Sequence, residues 1–145
     1  MTEHRVYLVG YAGRQPSELL AACERLAARL VDIRYSPSSR RPEWSGKRLR
    51  AVFGERYAHL RAFGNADYQH HRIRLEDAEA GILAVREMLA ESSVILMCQC
   101  AKTSGCHREV VADLLRERLG VDVIELDEAL AALEPQQLGL FGGAM

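Results

Sequence analysis

The chain has 145 residues, 48% of them apolar, 27% charged and 6% aromatic, with a net charge of −1. A domain of this size buries roughly 70% of the surface its unfolded chain exposes, so the fold needs neither disulfides nor metal, and there is no room for two independent cores. No apolar run approaches the roughly 20 residues that cross a bilayer, and Met1 to Gly13 lacks the basic start and long apolar stretch of a signal peptide. The expectation is a cytoplasmic protein without membrane contact, whose cysteines are kept reduced.

Arg5-Val-Tyr-Leu-Val9 predicts a strand closing on Gly10, and Pro16 opens a helix with Leu19, Cys23, Leu26 and Leu30 near one face. Cys23 is thereby a core residue. Leu30-Val-Asp-Ile-Arg34 predicts a second strand that runs into a basic, Pro- and Ser-rich loop. A short helix around Lys47 to Phe53 and a strand near Tyr57 to Leu60 follow, and Glu76 to Ala90 has a helical pattern. Ser93-Val-Ile-Leu-Met-Cys98 is nearly continuous in apolar residues, which predicts a strand buried on both faces at the centre of a sheet. A helix from about Cys106 to Leu119 comes next, with Val110, Val111, Leu114 and Leu115 facing inward and Gly120 at the C-cap. Val121 to Leu126 predicts the last strand, and Asp127 caps a short helix ending before Pro135.

Alternation of this kind predicts a single-domain, three-layer α/β/α fold with a mostly parallel sheet of about five strands over residues 1–134, followed by a flexible tail, 135–145. Ligands of such sheets bind outside the carboxyl ends of the strands. The loops there are Gly10 to Gln15, Arg34 to Gly46 and Cys98 to Ser104.

Charge is unevenly spread. Met1 to Arg61 holds twelve basic and six acidic residues, while Ala62 to Met145 holds seven basic and fourteen acidic. The basic excess concentrates between Arg34 and Arg50, where six cations face only Glu43. Clustered Arg favours bidentate contacts to phosphate; a solvated loop in an Arg-rich chain is the alternative. Trp44 beside Arg41 and Lys47 could stack on a base or pack down as a lid. Tyr68-Gln-His-His71 could reach the site from a loop, although His pairs are common on ordinary surfaces.

Cys98-Gln-Cys-Ala-Lys-Thr-Ser-Gly-Cys-His-Arg108 is the chemically richest segment. Cys106, His107 and Arg108 fall in the first turn of a helix, where free N–H groups and the dipole stabilise thiolates and anions. A Cys there, flanked by His and Arg, can become a nucleophile at neutral pH. The same N–H groups with Arg108 could instead hold a phosphate without covalent chemistry. The spacing is not the C-x5-R of protein phosphatases, because neither Cys98 nor Cys100 has an Arg six residues on. Cys98, Cys100, Cys106 and His107 carry atoms suited to zinc, but no finger or ribbon spacing, so no cofactor is expected and zinc is the alternative. Asp32 could serve in acid–base work or form a buried salt bridge with Arg34 or Arg40.

Val9-Gly-Tyr-Ala-Gly13, Val31-Asp-Ile-Arg-Tyr-Ser-Pro-Ser-Ser-Arg40, Tyr57-Ala-His-Leu with Phe63-Gly64, Leu96-Met-Cys98 and Cys106-His-Arg108 together resemble the successive blocks of the Domain of Unknown Function 488 family, from about Arg5 to Leu126. The resemblance implies a parallel α/β fold with a pocket where the Asp-x-Arg and Cys-His-Arg blocks meet. It implies no settled reaction. Cys100 stands where many relatives carry an acidic residue.

Gln137-Leu-Gly-Leu-Phe141 in the tail resembles the peptide by which bacterial replication and repair proteins dock on the DNA sliding clamp. Gln137, Leu138, Leu140 and Phe141 would be its contacts, with Leu140 and Phe141 as an apolar plug. The alternative is that Leu140 and Phe141 fold back on the last helix. The combined expectation is an enzyme acting on a phosphate-bearing substrate, a nucleotide or nucleic acid, and brought to DNA by the tail. Asp32, Cys98, Cys106 and His107 are its catalytic candidates; Gly10, Tyr11, Arg34, Ser38, Arg40 and Arg108 are its anion-binding candidates. A non-catalytic anion-binding adaptor and a metal-binding domain are the alternatives.

Overall fold

The apolar run Ser93–Cys98 (β4) is buried at every position and occupies the centre of a five-stranded sheet in this computed structural model, which describes residues 4–133. Flanking it are Val6–Gly10 (β1) on one side and Ala28–Asp32 (β2) on the other; Tyr57–His59 (β3) lies outside β2 and Val123–Glu125 (β5) outside β1. All four pairings are parallel, with Gly10 opposite Cys98 and Asp32 opposite Met97. A strand flanked by helices on both faces must be apolar at successive positions, and β4 and β1 are.

Side chains alternate between the two faces and divide the core in two. Val6, Leu8, Val31, Val94, Leu96 and Cys98 pack against the helices Ala78–Leu89 (α3) and His107–Leu119 (α4). Tyr7, Val9, Leu30, Ile95 and Met97 pack on the opposite face with residues of the helices Pro16–Leu26 (α1) and Gly46–Phe53 (α2), and with Leu126 of a helical segment over 126–133 (α5). This is the expected three-layer arrangement.

Local chemistry sets the helix ends. Pro16 fills the first turn of α1, where its missing N–H is no loss, and the Glu18 side chain accepts from the Gln15 N–H at 3.3 Å. Ser45 caps α2 through the Arg48 N–H and Asp77 caps α3 through the Ala80 N–H. Gly120 ends α4 as expected.

Four expectations need correction. α1 stops at Leu26 and Ala27 turns in the left-handed region, so Leu30 belongs to β2, which starts two residues earlier than its apolar core suggests. Val110 is exposed and Leu114 half-buried, because the inner stripe of α4 is Arg108, Val111, Ala112 and Leu115. Asp127 lies inside α5 rather than capping it, and pairs with Arg14. β5 is also shorter than Val121 to Leu126. Among the described residues no helix is long and apolar enough to cross a membrane. The clamp-like peptide, with Gln137, Leu138, Leu140 and Phe141, lies outside the described residues.

Candidate active site

β4 ends in Cys98, Cys100 sits exposed in the loop beyond, and Cys106 occupies the N-cap position of α4. Gly10 makes this loop possible. A Cβ on Gly10 would lie 1.5 Å from the Cys100 carbonyl oxygen, so only glycine lets the loop fold back across the end of β1. Gly10 therefore admits the cysteine loop. Backbone bonds from Tyr11 N–H to Cys98 O and from Ala12 N–H to Gln99 O fasten the two loops together.

Arg108 fixes the loop from beneath. It is fully buried; its Nη1 donates to Cys98 Sγ at 2.8 Å and to the Cys100 carbonyl at 2.9 Å, and its Nε and Nη2 donate to Thr103 Oγ1. Thr103 in turn donates to Glu125 at 2.7 Å. Arg108 thus organises the cysteines and is not among the residues that line the cavity described below.

The three sulfurs of Cys98, Cys100 and Cys106 lie within 4.8 Å of one another, close enough to hold one soft metal ion. The Cys98 and Cys106 sulfurs are 3.2 Å apart, and Cys106 Sγ is 3.6 Å from His107 Nδ1. His107 Nε2 lies 2.9 Å from the Ile33 carbonyl, which can only accept, so Nε2 carries a proton and Nδ1 faces the thiol. The electrostatics follow from these contacts. Donation from the Cys98 thiol, then the contact with His107 and the Arg108 amide, draw Cys106 down to about 3 against the opposing effect of burial. Cys98, bonded to Cys100 and Cys106 and buried, is pushed far up. Burial opposes charge on His107, but its bonds to Cys106 and Ile33 raise it. The same contacts favour the thiolate at Cys106 and charge on His107. Cys23, by contrast, is pushed up to about 12 by burial inside the core.

Asp32, at the end of β2, is entirely buried. Its carboxylate accepts from the Arg34 backbone N–H, from Arg34 Nε at 2.8 Å and Nη2 at 2.6 Å, and from the Tyr57 hydroxyl at 2.7 Å. Burial and the Asp32 charge raise the Tyr57 hydroxyl above its ordinary range. With every lone-pair direction occupied, Asp32 has the geometry of the salt bridge, not of an acid–base group. Arg34 is oriented further by Nη1 bonds to the Ser38 carbonyl at 3.1 Å and to the Tyr11 hydroxyl, and by His59 Nε2, which bonds the Arg34 carbonyl at 2.7 Å. Burial disfavours its charge, but the Asp32 partnership holds it well above its ordinary value.

A cavity of about 580 Å³ opens over this assembly, within the range of small-molecule sites. Arg34, Ser38, Cys98, Cys106 and His107 line it as expected at those positions, together with Cys100. Tyr11 does not: it is buried, stacked on Trp44 with centroids 4.6 Å apart. Trp44 is therefore a core residue, neither lid nor base-stacking platform, and its Nε1 is left without a partner among the described residues. Arg40 is exposed and stands away from the cavity.

The segment between Gly64 and Asp77 supplies the missing wall. Asn65, Tyr68, His71, Arg72 and Ile73 line the cavity, and Gly64 lets the segment close, since a Cβ there would lie 2.5 Å from Tyr35 Cα. Tyr68 and His71 were considered from sequence; Asn65, Arg72 and Ile73 were not. One signal was available. Long loops inside a small domain are usually functional. Among the described residues no Asp or Glu lines the cavity, whereas Arg34 and Arg72 do.

Residues 64–115, just over a third of the chain, match the family described as Domain of unknown function DUF488. The match covers the loop over the cavity, β4, the cysteine loop and most of α4, and leaves out the Asp32–Arg34 block. No curated protein and no solved structure matches the chain.

Proposed function

We propose that the protein is a thiol enzyme that transfers a group from a phosphate-bearing substrate through a covalent adduct on Cys106. The observation that carries this reading is the Cys106 sulfur, 3.6 Å from His107 Nδ1, opening on a cavity whose walls carry Arg34 and Arg72 and, among the described residues, no carboxylate. The Cys106 thiolate attacks an electrophilic atom of the substrate, the bond to the leaving group breaks, and His107 Nδ1–H gives its proton to that group. Arg72 and His71 meet the anionic part of the substrate. Arg34 contributes charge and one uncommitted Nη2 hydrogen, since Asp32, Ser38 and Tyr11 take the other four. Cys98 and Arg108 are positioning residues for the thiolate.

Alkylation tests the reading. In a Cys100→Ser background, iodoacetate should label Cys106 faster relative to iodoacetamide than it labels a free thiol, because the reagent's charge is drawn into the cavity. Arg72→Gln should reduce that preference and leave the iodoacetamide rate unchanged. A Cys106 slower than a free thiol, or zinc held in stoichiometric amount by protein purified without chelator, would overturn it.

The proposal includes a nucleotide or nucleic acid as the phosphate-bearing substrate and docking of the tail on a sliding clamp, the latter supported by the peptide Gln137-Leu-Gly-Leu-Phe141 alone. Joint substitution of Gln137, Leu140 and Phe141 by Ala should abolish micromolar binding to the clamp. Equal binding by both forms, or none by either, would remove the docking role.

A further inference from the structure

Cys98 has no part in the group transfer beyond steadying the thiolate, yet its sulfur lies 3.2 Å from Cys106 Sγ and lines the same cavity. A disulfide requires about 2.05 Å between sulfurs, so the two must close by roughly 1.2 Å, a movement within reach of side-chain rotation. The partners come from separate elements, the end of β4 and the N-cap of α4, and no side chain intervenes.

We infer that Cys98 and Cys106 form a reversible disulfide when a hydroperoxide enters the cavity, and that this bond switches the site off. The inference rests on Cys106 being the reactive thiol of the proposed function. The Cys106 thiolate attacks the terminal oxygen of the hydroperoxide, the O–O bond breaks, and the departing alkoxide or hydroxide takes the proton from His107. Cys106 is now a sulfenic acid. The Cys98 sulfur attacks it, the S–S bond forms, and the sulfenic hydroxyl leaves with the Cys98 proton as water. Two thiols have lost two electrons and the peroxide has gained them.

Reversal is also built in. A reducing dithiol attacks the Cys106 sulfur from the cavity, and Cys98 departs as a thiolate onto the Arg108 N–H, 2.8 Å away. Cys100, exposed and within 4.8 Å of both, is the competing partner.

The test treats the full chain carrying Cys100→Ser with hydrogen peroxide at neutral pH, then digests it with trypsin without reduction. Lys102 separates the two cysteines, so a Cys98–Cys106 bond joins two peptides that are otherwise cleaved apart. The expected result is that joined pair, loss of Cys106 alkylation, and recovery of both thiols with dithiothreitol. The unsubstituted chain should give the same bond, and Cys98→Ser added to Cys100→Ser should instead carry Cys106 to a sulfinic acid that dithiothreitol does not restore. Cys106 reaching sulfinic acid with Cys98 present, or a bond using Cys100 in the unsubstituted chain, would overturn the inference while Cys106 still alkylates. A Cys106 that neither alkylates nor oxidises would overturn the proposed function as well.

Discussion

Arg108 shows how one residue can decide the geometry of a site without touching its ligand. It lies at the first of the inner positions of α4, three and four residues before Val111 and Ala112, where a charged side chain meets the core. Replacing it by Gln leaves Thr103, the Cys98 sulfur and the Cys100 carbonyl short of donors. A loss of roughly 3 kcal/mol is expected in urea unfolding, with Cys106 alkylation slowed in the protein that remains folded. Asp32→Asn strands the Arg34 guanidinium in a buried site, and should lose roughly 3–5 kcal/mol. An Asp32 acting mainly in proton transfer would instead keep its stability on that substitution. The sequence showed Asp32 and Arg34 as a pair at a strand end, because both residues are local to one loop. It gave no sign that Tyr57, 25 residues on, completes the pair, since that contact exists only once β3 lies beside β2.

At the scale of elements, what was legible tracks how repetitive the pattern is. β4 could be read in full, since a strand covered on both faces leaves an unbroken apolar run. α4 was read on a face rotated from the true one, because Val110 and Leu114 are as apolar as Val111 and Leu115 and only the buried Arg108 breaks the tie. The difference is measurable. Val110→Glu should change stability by less than about 0.5 kcal/mol, whereas Val111→Ala should lose roughly 2 kcal/mol; equal losses would restore the sequence-based face. The wall between Gly64 and Asp77 escaped for the opposite reason. It has little regular structure, a bridge between Asn65 and Leu75 and one 3-10 turn over Tyr68–His70, so periodicity had nothing to report. Its cations reach the cavity because Gly64 packs directly on the Tyr35 backbone.

For the whole molecule, strand order explains why these groups meet. The chain lays down β1, crosses beyond the place of β4 to build β2 and β3, then returns to insert β4 between β1 and β2 and finishes with β5. The loops leaving β2 and β4 therefore diverge from neighbouring strands at the sheet's switch point, where open α/β sheets bind ligands. Arg34 and Cys98 are delivered to the same cavity by adjacent strands although 64 positions separate them in the chain. Alternation of elements in the sequence was enough to predict parallel strands and the edge carrying the site, but the order of strands is a property of packing and not of any local stretch.

The proposed chemistry needs Cys106 as a thiolate beside His107. The pH profile of its alkylation by iodoacetamide in the Cys100→Ser chain measures that directly. A thiol lowered to about 3 from an ordinary 9.0 stays deprotonated as pH falls, so the rate should be nearly level from about pH 5 to about pH 8. A rate that drops about tenfold with each pH unit below 9 would make Cys106 an ordinary thiol and leave the proposed function without its nucleophile.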